Sequence, residues 1–264
     1  VDFQPSATFI LKGYKMQVIP IHTHAVTPED TLENLIDSYV KDFQPGSILA
    51  ITSKIISICE NRIVPVSQAP CKQELIIQEA DAYLLGDYQE KYGHCLTIKN
   101  GMLIPSAGID QSNGNDHYIL YPHDCFAAAK QVWQHLRQRI NDAPCGVIVT
   151  DSHTIPLRRG VIGICLAWCG FNPLYNYINK QDIFGKRLRV TMSNYADALS
   201  VASVFAMGEG NEQTPMAIIS DLQKIKFCEN PPTNEEIDVF YISMEDDLYA
   251  PLLTAVNWQT KTNN

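Results

Sequence analysis

The run Gly146-Val147-Ile148-Val149-Thr150, followed by Asp151-Ser152, is mostly β-branched and apolar and reads as a buried strand. It delivers Asp151 at its C-terminal end, where ligand-binding groups commonly sit in α/β sheets. Upstream, Pro122-His123-Asp124 opens a helix that runs to Ile140. Downstream, Val161–Trp168 is a second apolar strand, Gln181–Gly185 a loop and Arg187–Met192 a strand. Tyr195–Met207 is a helix of small residues ending at Gly208, and Met216–Ile219 and Val239–Ile242 are further strands.

Toward the N-terminus, Gln17–Ile21 reads as a short strand. Thr27-Pro28-Glu29-Asp30 carries the marks of a helix start: a Thr N-cap, Pro at the first helical position and acids in the first turn. Leu32, Leu35, Ile36, Tyr39 and Val40 then recur at helical spacing, predicting an amphipathic helix over 28–43 that Pro45-Gly46 breaks. Ser47–Thr52 is a buried strand, Ser53–Cys59 leaves it, and Lys72–Leu85 reads as a second helix. Asn100-Gly101 between Cys95–Ile98 and Met102–Pro105 signals a hairpin, and Tyr118–Tyr121 adds a short strand.

No repeat and no Pro/Gly/Ser-rich linker interrupts the chain, so residues 16–258 are expected to act as a single functional unit. Residues 1–15 are read as an N-terminal extension, with Met16 an alternative start, and 259–264 as a polar tail that frays.

With 264 residues and 45% hydrophobic content, the chain can bury a full core. Its formal net charge of -9 argues against a nucleic-acid partner and means that an anionic substrate must be met by local basic groups or by metal. No apolar run approaches the roughly 18 residues that span a bilayer. The start lacks the basic and apolar regions of a signal peptide, so a cytoplasmic protein with no membrane partner is expected. Eight cysteines are scattered without a C-x-x-C pair, which fits reduced, mostly buried thiols rather than structural zinc.

Three strings carry the chemistry: Ala107-Gly108-Ile109-Asp110-Gln111-Ser112-Asn113, Thr150-Asp151-Ser152 and Met207-Gly208-Glu209-Gly210. Asp110, Asp151 and Glu209, with the Ser152 oxygen as a weaker ligand, are the hard oxygen donors that Mg²⁺ or Mn²⁺ needs when it holds nucleotide phosphates. Arg158, Arg159, Lys186 and Arg187 are candidates to contact phosphate or a carboxylate substrate. Each string also has a plain reading. Asp110 can cap an Asx turn, Asp151-Ser152 can cap a helix, Gly208 can be an ordinary helix C-terminus, and the basic residues can be solvated surface. Neither G-x-x-x-x-G-K-[ST] nor G-x-G-x-x-G occurs, so phosphate binding would be of neither P-loop nor Rossmann type. His22-x-His24 is more easily incidental than a metal site.

In this order, the strings resemble the coenzyme F420-0:γ-glutamyl ligase family. The resemblance runs from about Met16 to Leu222. It includes Thr52-Ser53-Lys54-Ile55-Ile56-Ser57, Asp182-Ile183-Phe184-Gly185, Arg189-Val190-Thr191 and Ala196-Asp197-Ala198-Leu199 besides the three above. It implies a mixed α/β (α+β) fold of the family's own and an intertwined homodimer. It also implies an acid–amino-acid ligase that activates a carboxylate with ATP or GTP as an acyl phosphate, which the amine of L-glutamate then attacks. Two divalent ions, Mg²⁺ or Mn²⁺, are implied at Asp110, Asp151, Ser152 and Glu209. Nucleotide contacts are implied at Asn113, Ser53, Lys54, the loop His24-to-Thr27, and Met207, Gly208, Glu209 and Gly210 of the loop running to Thr214. Asp110, Asp151, Arg158 and Arg159 then form the candidate catalytic set.

The chain departs from the deazaflavin branch of that family in two places. His153-Thr154-Ile155-Pro156-Leu157-Arg158 replaces Phe-Gly-Arg-Pro-Trp-Arg, and Ser57-Ile58-Cys59-Glu60-Asn61-Arg62 lacks the usual Lys after Ser and Gly before Arg. Thr150–Thr154, Trp168-Cys169-Gly170-Phe171 and Glu245–Leu253 look like a subgroup proposed to act in folate metabolism. A folate or pterin-type acceptor is therefore ranked first, and coenzyme F420-0, with GTP, is the alternative. Trp168, Phe171, Tyr175 and Tyr177 are candidates to stack on a flat acceptor ring or to pack the core. A nucleotide- or pterin-binding module without catalysis and a metal-dependent phosphohydrolase remain as further readings.

Overall fold

Local hydrogen bonding starts and stops the helices of this chain. Thr31, Thr52, Cys71, Asp124, Asn194 and Thr233 each cap a helix by accepting an N–H of its first turn. The computed structural model describes residues 7–11, 14–69, 71–86, 91 and 93–261. Among these the strands are β1 Ala7–Leu11, β2 Tyr14–Ile21, β3 Ile48–Thr52, β4 Ile63–Pro65, β5 Ala82–Leu84, β6 Leu96–Lys99 and β7 Met102–Pro105. They continue with β8 His117–Ile119, β9 Gly146–Thr154, β10 Val161–Cys169, β11 Leu174–Asn176, β12 Met192–Asn194, β13 Met216–Ser220 and β14 Gln259–Thr260. The helices are α1 Leu32–Tyr39, α2 Ser53–Cys59, α3 Lys72–Glu79, α4 Cys125–Arg139, α5 Tyr195–Met207, α6 Asn234–Phe240 and α7 Ala250–Leu253. The architecture is mixed α/β, and no described helix is long and apolar enough to cross a membrane.

The chain divides into two units. The first takes Val1–Glu60, Pro122–His153 and Val161–Pro232, and the second takes Asn61–Tyr121, Thr154–Gly160 and Thr233–Asn264. Each unit takes three stretches of chain in alternation, so no single linker marks a boundary.

The first unit is built on a six-stranded sheet ordered β1-β2-β13-β3-β9-β10. β3 and β9 run parallel, while β1, β2, β13 and β3 pair antiparallel in turn. Ile48, Leu49, Ile51, Val147, Ile148 and Val149 are buried throughout, as expected for inner strands covered on both faces. Each such side chain contributes about 1.5–3 kcal/mol of burial. Helix α4 supplies Val132, Trp133 and Leu136 to this core, and the Trp133 indole N–H donates to the Cys145 carbonyl at 3.0 Å. Trp168, 1% exposed, meets Phe126 edge-on with ring centroids 5.0 Å apart. Trp168 and Phe171 are therefore core residues, not stacking surfaces.

The second unit holds a four-stranded sheet, β14-β5-β6-β7, and the pair β4-β8. Asn100 and Gly101 both take left-handed φ (50° and 72°) and close the β6–β7 hairpin in the manner of a type I′ turn. Leu75, Ile76, Cys95, Ala107, Ile109, Tyr118 and Leu120 form its core. Glu79 accepts from Arg62 at 2.7 Å and lies 3.8 Å from Lys99, and Arg62 Nε also donates to the Tyr121 carbonyl.

Several expectations are corrected. Thr27–Asp30 is a turn, not a helix start: Asp30 accepts the Thr27 N–H at 2.8 Å, and α1 begins only after Thr31. Lys72–Leu85 splits into α3 and β5, because Ala80 leaves helical conformation (φ -67°, ψ 148°). Val239 and Phe240 belong to α6, whose Thr233/Glu236 capping box outweighs a short apolar run. Of Arg187–Met192 only Met192 enters a strand. Gln259–Thr260 does not fray but pairs with Tyr83–Ala82. Within the stretch read as an extension, Ala7–Leu11 pairs with β2, while residues 1–6, 12–13 and 262–264 lie outside the described ones.

Candidate functional site

In the first unit, strand register gathers several candidate residues at one end of the sheet. Thr52 lies opposite Thr150 in the parallel β3–β9 pair. Thr52 N–H donates to the Pro215 carbonyl at 3.0 Å, and Thr23 N–H donates to the Gln213 carbonyl at 2.9 Å. The ends of β2, β3 and β9 and the start of β13 thus share one edge, bringing together Thr23-His24, Ser53-Lys54, Gln213–Pro215 and Asp151. With strands about 4.8 Å apart, the span from β2 to β9 is roughly 15 Å. Helix α5 ends at Gly208 (φ 79°), and Thr214 Oγ1 donates to the Met207 carbonyl, so the loop carrying Glu209 and Gly210 returns to the same edge.

Asp151 does not end its strand as expected; β9 continues to Thr154. Side chains alternate across a strand, so Ser152 points to the opposite face from Asp151, and the residue sharing the Asp151 face is His153. A single ion held by both the Asp151 carboxylate and the Ser152 hydroxyl is disfavoured by that alternation. His153 Nδ1 is buried without a hydrogen-bond partner. Burial lowers the imidazole pKa, and the Asp197 carboxylate partly offsets this. Asp197, in the first turn of α5, accepts from the Cys165 N–H at 2.9 Å and from Asn194 Nδ2 at 2.5 Å. Burial pushes its carboxyl above the usual range despite the Cys165 bond and His153.

His153 and Asp197 were quoted from the sequence without a role. Their signal was partly present, since Asn194-x-x-Asp197 is a helix start, but only the fold brings β9 beside α5. Glu212 was also missed: its carboxylate accepts the Gly210 N–H at 2.8 Å and folds over the Gly208–Gly210 loop.

Asp110, Asn113, Arg158 and Arg159 belong to the second unit, and Lys186 and Arg187 to the first. Asp110 follows Gly108, whose φ of 72° and close approach to the Tyr121 ring (2.1 Å from an added Cβ) leave room only for glycine. Asp110 Oδ1 accepts from Gln111 N–H, Ser112 N–H and Ser112 Oγ at 2.6, 2.7 and 2.8 Å. This is the Asx turn of the plain reading. Asn113, exposed and left-handed (φ 54°), continues the turn. Asp110→Asn keeps an acceptor oxygen for that turn, so a stability loss below about 1 kcal/mol is expected. A fall in turnover out of proportion to that loss, measured by steady-state rate beside thermal melting, assigns the charge to catalysis. Arg158 and Arg159 are exposed and form no ion pair among the described residues. Asn61, where the resembling family typically has Gly, takes φ 54° after α2, a conformation Asn tolerates best after Gly.

Among the described residues, no three His, Cys, Asp or Glu side chains converge as a metal site. Asp110 belongs to the second unit, where its Oδ1 accepts from its own turn, while Asp151 and Glu209 belong to the first, Glu209 exposed on its loop. The donor chemistry still suits a hard cation, because Mg²⁺ usually takes one or two protein carboxylates and completes its shell with substrate phosphate and water. The cysteines offer no alternative centre. Burial pushes the Cys145 and Cys169 thiols up to about 12, and Cys165 well above its usual value.

Comparison with known proteins bears on this arrangement. A family model described as F420-0:γ-glutamyl ligase matches residues 20–221, which include Ser53, Lys54, Asp110, Asp151 and Glu209. A coenzyme F420:L-glutamate ligase of Archaeoglobus fulgidus is 27% identical over 255 residues, 89% of this chain and 96% of that protein. One of Methanopyrus kandleri is 26% identical over 233 residues, 81% and 89% of the two chains. One of Haloarcula marismortui is 34% identical over 125 residues, 47% and 48% of the two chains. All three relatives are named for coenzyme F420, and none for the folate or pterin acceptor ranked first from the sequence. With the family model covering most of its length, the chain belongs to the F420-0:γ-glutamyl ligase family, a family of ligases.

Proposed function

We propose that this chain joins L-glutamate by an amide bond to the carboxylate of a coenzyme F420 precursor, using GTP or ATP. The observation that supports the reading is the shared sheet edge, since Ser53-Lys54, the Met207–Thr214 loop and Asp151 follow strand ends at the same end of the sheet. The relatives' names supply the substrate class.

A carboxylate oxygen of the acceptor attacks the γ-phosphorus, and the nucleoside diphosphate leaves. The glutamate amine then attacks the acyl carbonyl, phosphate leaves and a proton is lost from nitrogen. Such a site acts by positioning and charge neutralisation. A divalent cation supplies neutralisation of the phosphate charge when bound, and Asp151 and Glu209 are the first-unit residues proposed to hold it. Lys54 is proposed to meet a phosphate, with the loop amides of Gly208–Gly210 alongside. Asp110, Asn113, Arg158 and Arg159 are proposed from the family pattern, without a position relative to Asp151. A homodimer belongs to the same proposal, supported by large apolar side chains left open to water such as Phe184 and Leu248.

The test is a mass-resolved assay with Mn²⁺ or Mg²⁺, GTP or ATP, L-glutamate, and either the deazaflavin precursor or dihydropteroate. A gain of one glutamyl residue on the deazaflavin, with matching phosphate release, is the expected result. Gain only on the pterin restores the folate reading, and nucleotide hydrolysis indifferent to glutamate sinks the ligase. Sedimentation of the same preparation checks the dimer.

A further inference from the structure

Residues 177–191 form an ordered ribbon in the first unit. Its rungs are Tyr177 N–H to the Thr191 carbonyl, Asn179 N–H to the Leu188 carbonyl, Leu188 N–H to the Lys180 carbonyl and the Gln181–Arg187 bridge. The Asp182 carboxylate closes its turn by accepting the Phe184 and Lys186 N–H groups at 2.9 and 2.8 Å. That is the ribbon's one acid, and it serves backbone. The ribbon's bases are Lys180, Lys186, Arg187 and Arg189, and none makes an ion pair among the described residues. An unpaired cationic arm on a chain of net charge -9 marks a place for an anion rather than a balanced surface.

An aromatic shelf stands at the root of this arm. Tyr175 stacks on Tyr195 with centroids 5.7 Å apart and meets Tyr177 edge-on at 4.7 Å. Lys180 Nζ lies 4.0 Å from the Tyr175 ring centroid and donates to the Tyr175 hydroxyl, so its ammonium is held in place while the side chain stays exposed. Tyr195 begins α5, two residues before Asp197, so the shelf adjoins the helix turn that faces His153 and the Asp151 strand.

We propose that the tyrosine shelf and the basic ribbon together bind the acceptor of the ligase reaction, the shelf taking its flat heteroaromatic ring and Lys180, Arg187 and Arg189 its anionic tail. This rests on the ligase reading above. Tyr175 is itself covered by Tyr195 and the Lys180 ammonium, so the flat ring meets Tyr177 as its π-surface with Tyr175 as support, and an anionic tail finds forked and point cations within one hydrogen-bonded element.

The experiment compares wild type with Lys180→Gln, Lys180→Arg and the double variant Arg187→Gln/Arg189→Gln. Acceptor, GTP and glutamate are each varied in turn, and binding of the deazaflavin precursor alone is followed by its fluorescence. The expected result is an acceptor KM and Kd raised about tenfold in Lys180→Gln and in the double variant, with the GTP and glutamate KM values within about twofold of wild type. Lys180→Arg should recover most of the loss. Raised GTP KM instead assigns the ribbon to the nucleotide and overturns the proposal, as does loss of the dimer with acceptor binding intact. Variants indistinguishable from an active wild type sink the ribbon alone. A wild type that neither binds nor turns over the acceptor removes the ligase reading and the ribbon with it; one that binds without turnover, and loses binding in the variants, leaves the ribbon standing and removes the ligase.

Discussion

Asp151→Asn is expected to lower ligase turnover by at least about a hundredfold while the protein stays folded. Asn has nearly the shape of Asp, and β9 pairs with β3 up to Thr150, so the backbone leading into this position is fixed. What changes is one negative charge on the face that Asp151 shares with His153 and the α5 turn. If that charge holds a cation against the nucleotide phosphates, its loss acts on the reacting group and hardly on the fold. The measurement pairs kcat with thermal melting: a hundredfold loss with Tm within about 2 °C of wild type is the expected pattern. Turnover within a few-fold of wild type removes Asp151 from the cation site.

Gly163→Ala is expected to cost about 3 kcal/mol of stability, at the upper end for a single added methyl. A Cβ on Gly163 would stand 2.2 Å from the Ser200 carbonyl oxygen, 2.5 Å from its carbonyl carbon and 2.9 Å from Val201 N. All three are backbone atoms in the middle of α5, so no rotamer change relieves the clash. The helix must move off β10 or the strand must bend. Either movement disturbs both ends of α5, the Asp197 turn and the Met207–Thr214 loop. A fall in Tm of roughly 6–12 °C follows from that cost for a unit of this size, and kcat should fall with it. A melting temperature within about 1 °C of wild type would show that α5 does not sit this close to β10.

Features set by neighbours a few residues away were legible before the fold was known. Tyr195–Met207 is helical over the residues expected, because Asn194 caps it and Gly208 ends it. Asn100-Gly101 closes the expected hairpin, and Asp124 starts the expected helix. The misreadings have the same scale. Val239–Ile242 resembled a strand only while the Thr233-x-x-Glu236 box upstream went unweighed, and Thr27-Pro28 resembled a cap although Thr31 competes for it.

By itself the sequence determined the hard-oxygen candidates, the family resemblance, the inner strands β3 and β9, and an acidic chain that needs local cations for an anionic substrate. Only the tertiary structure decided that Thr52, Thr150 and Pro215 share an edge, that β9 outruns Asp151 and sets Ser152 on the far face, and that His153 comes within electrostatic reach of Asp197. The physical reason is range. Caps, turns and helical periodicity are satisfied within about one turn of chain, whereas a ladder's register and length depend on hydrogen bonds to strands far away in sequence.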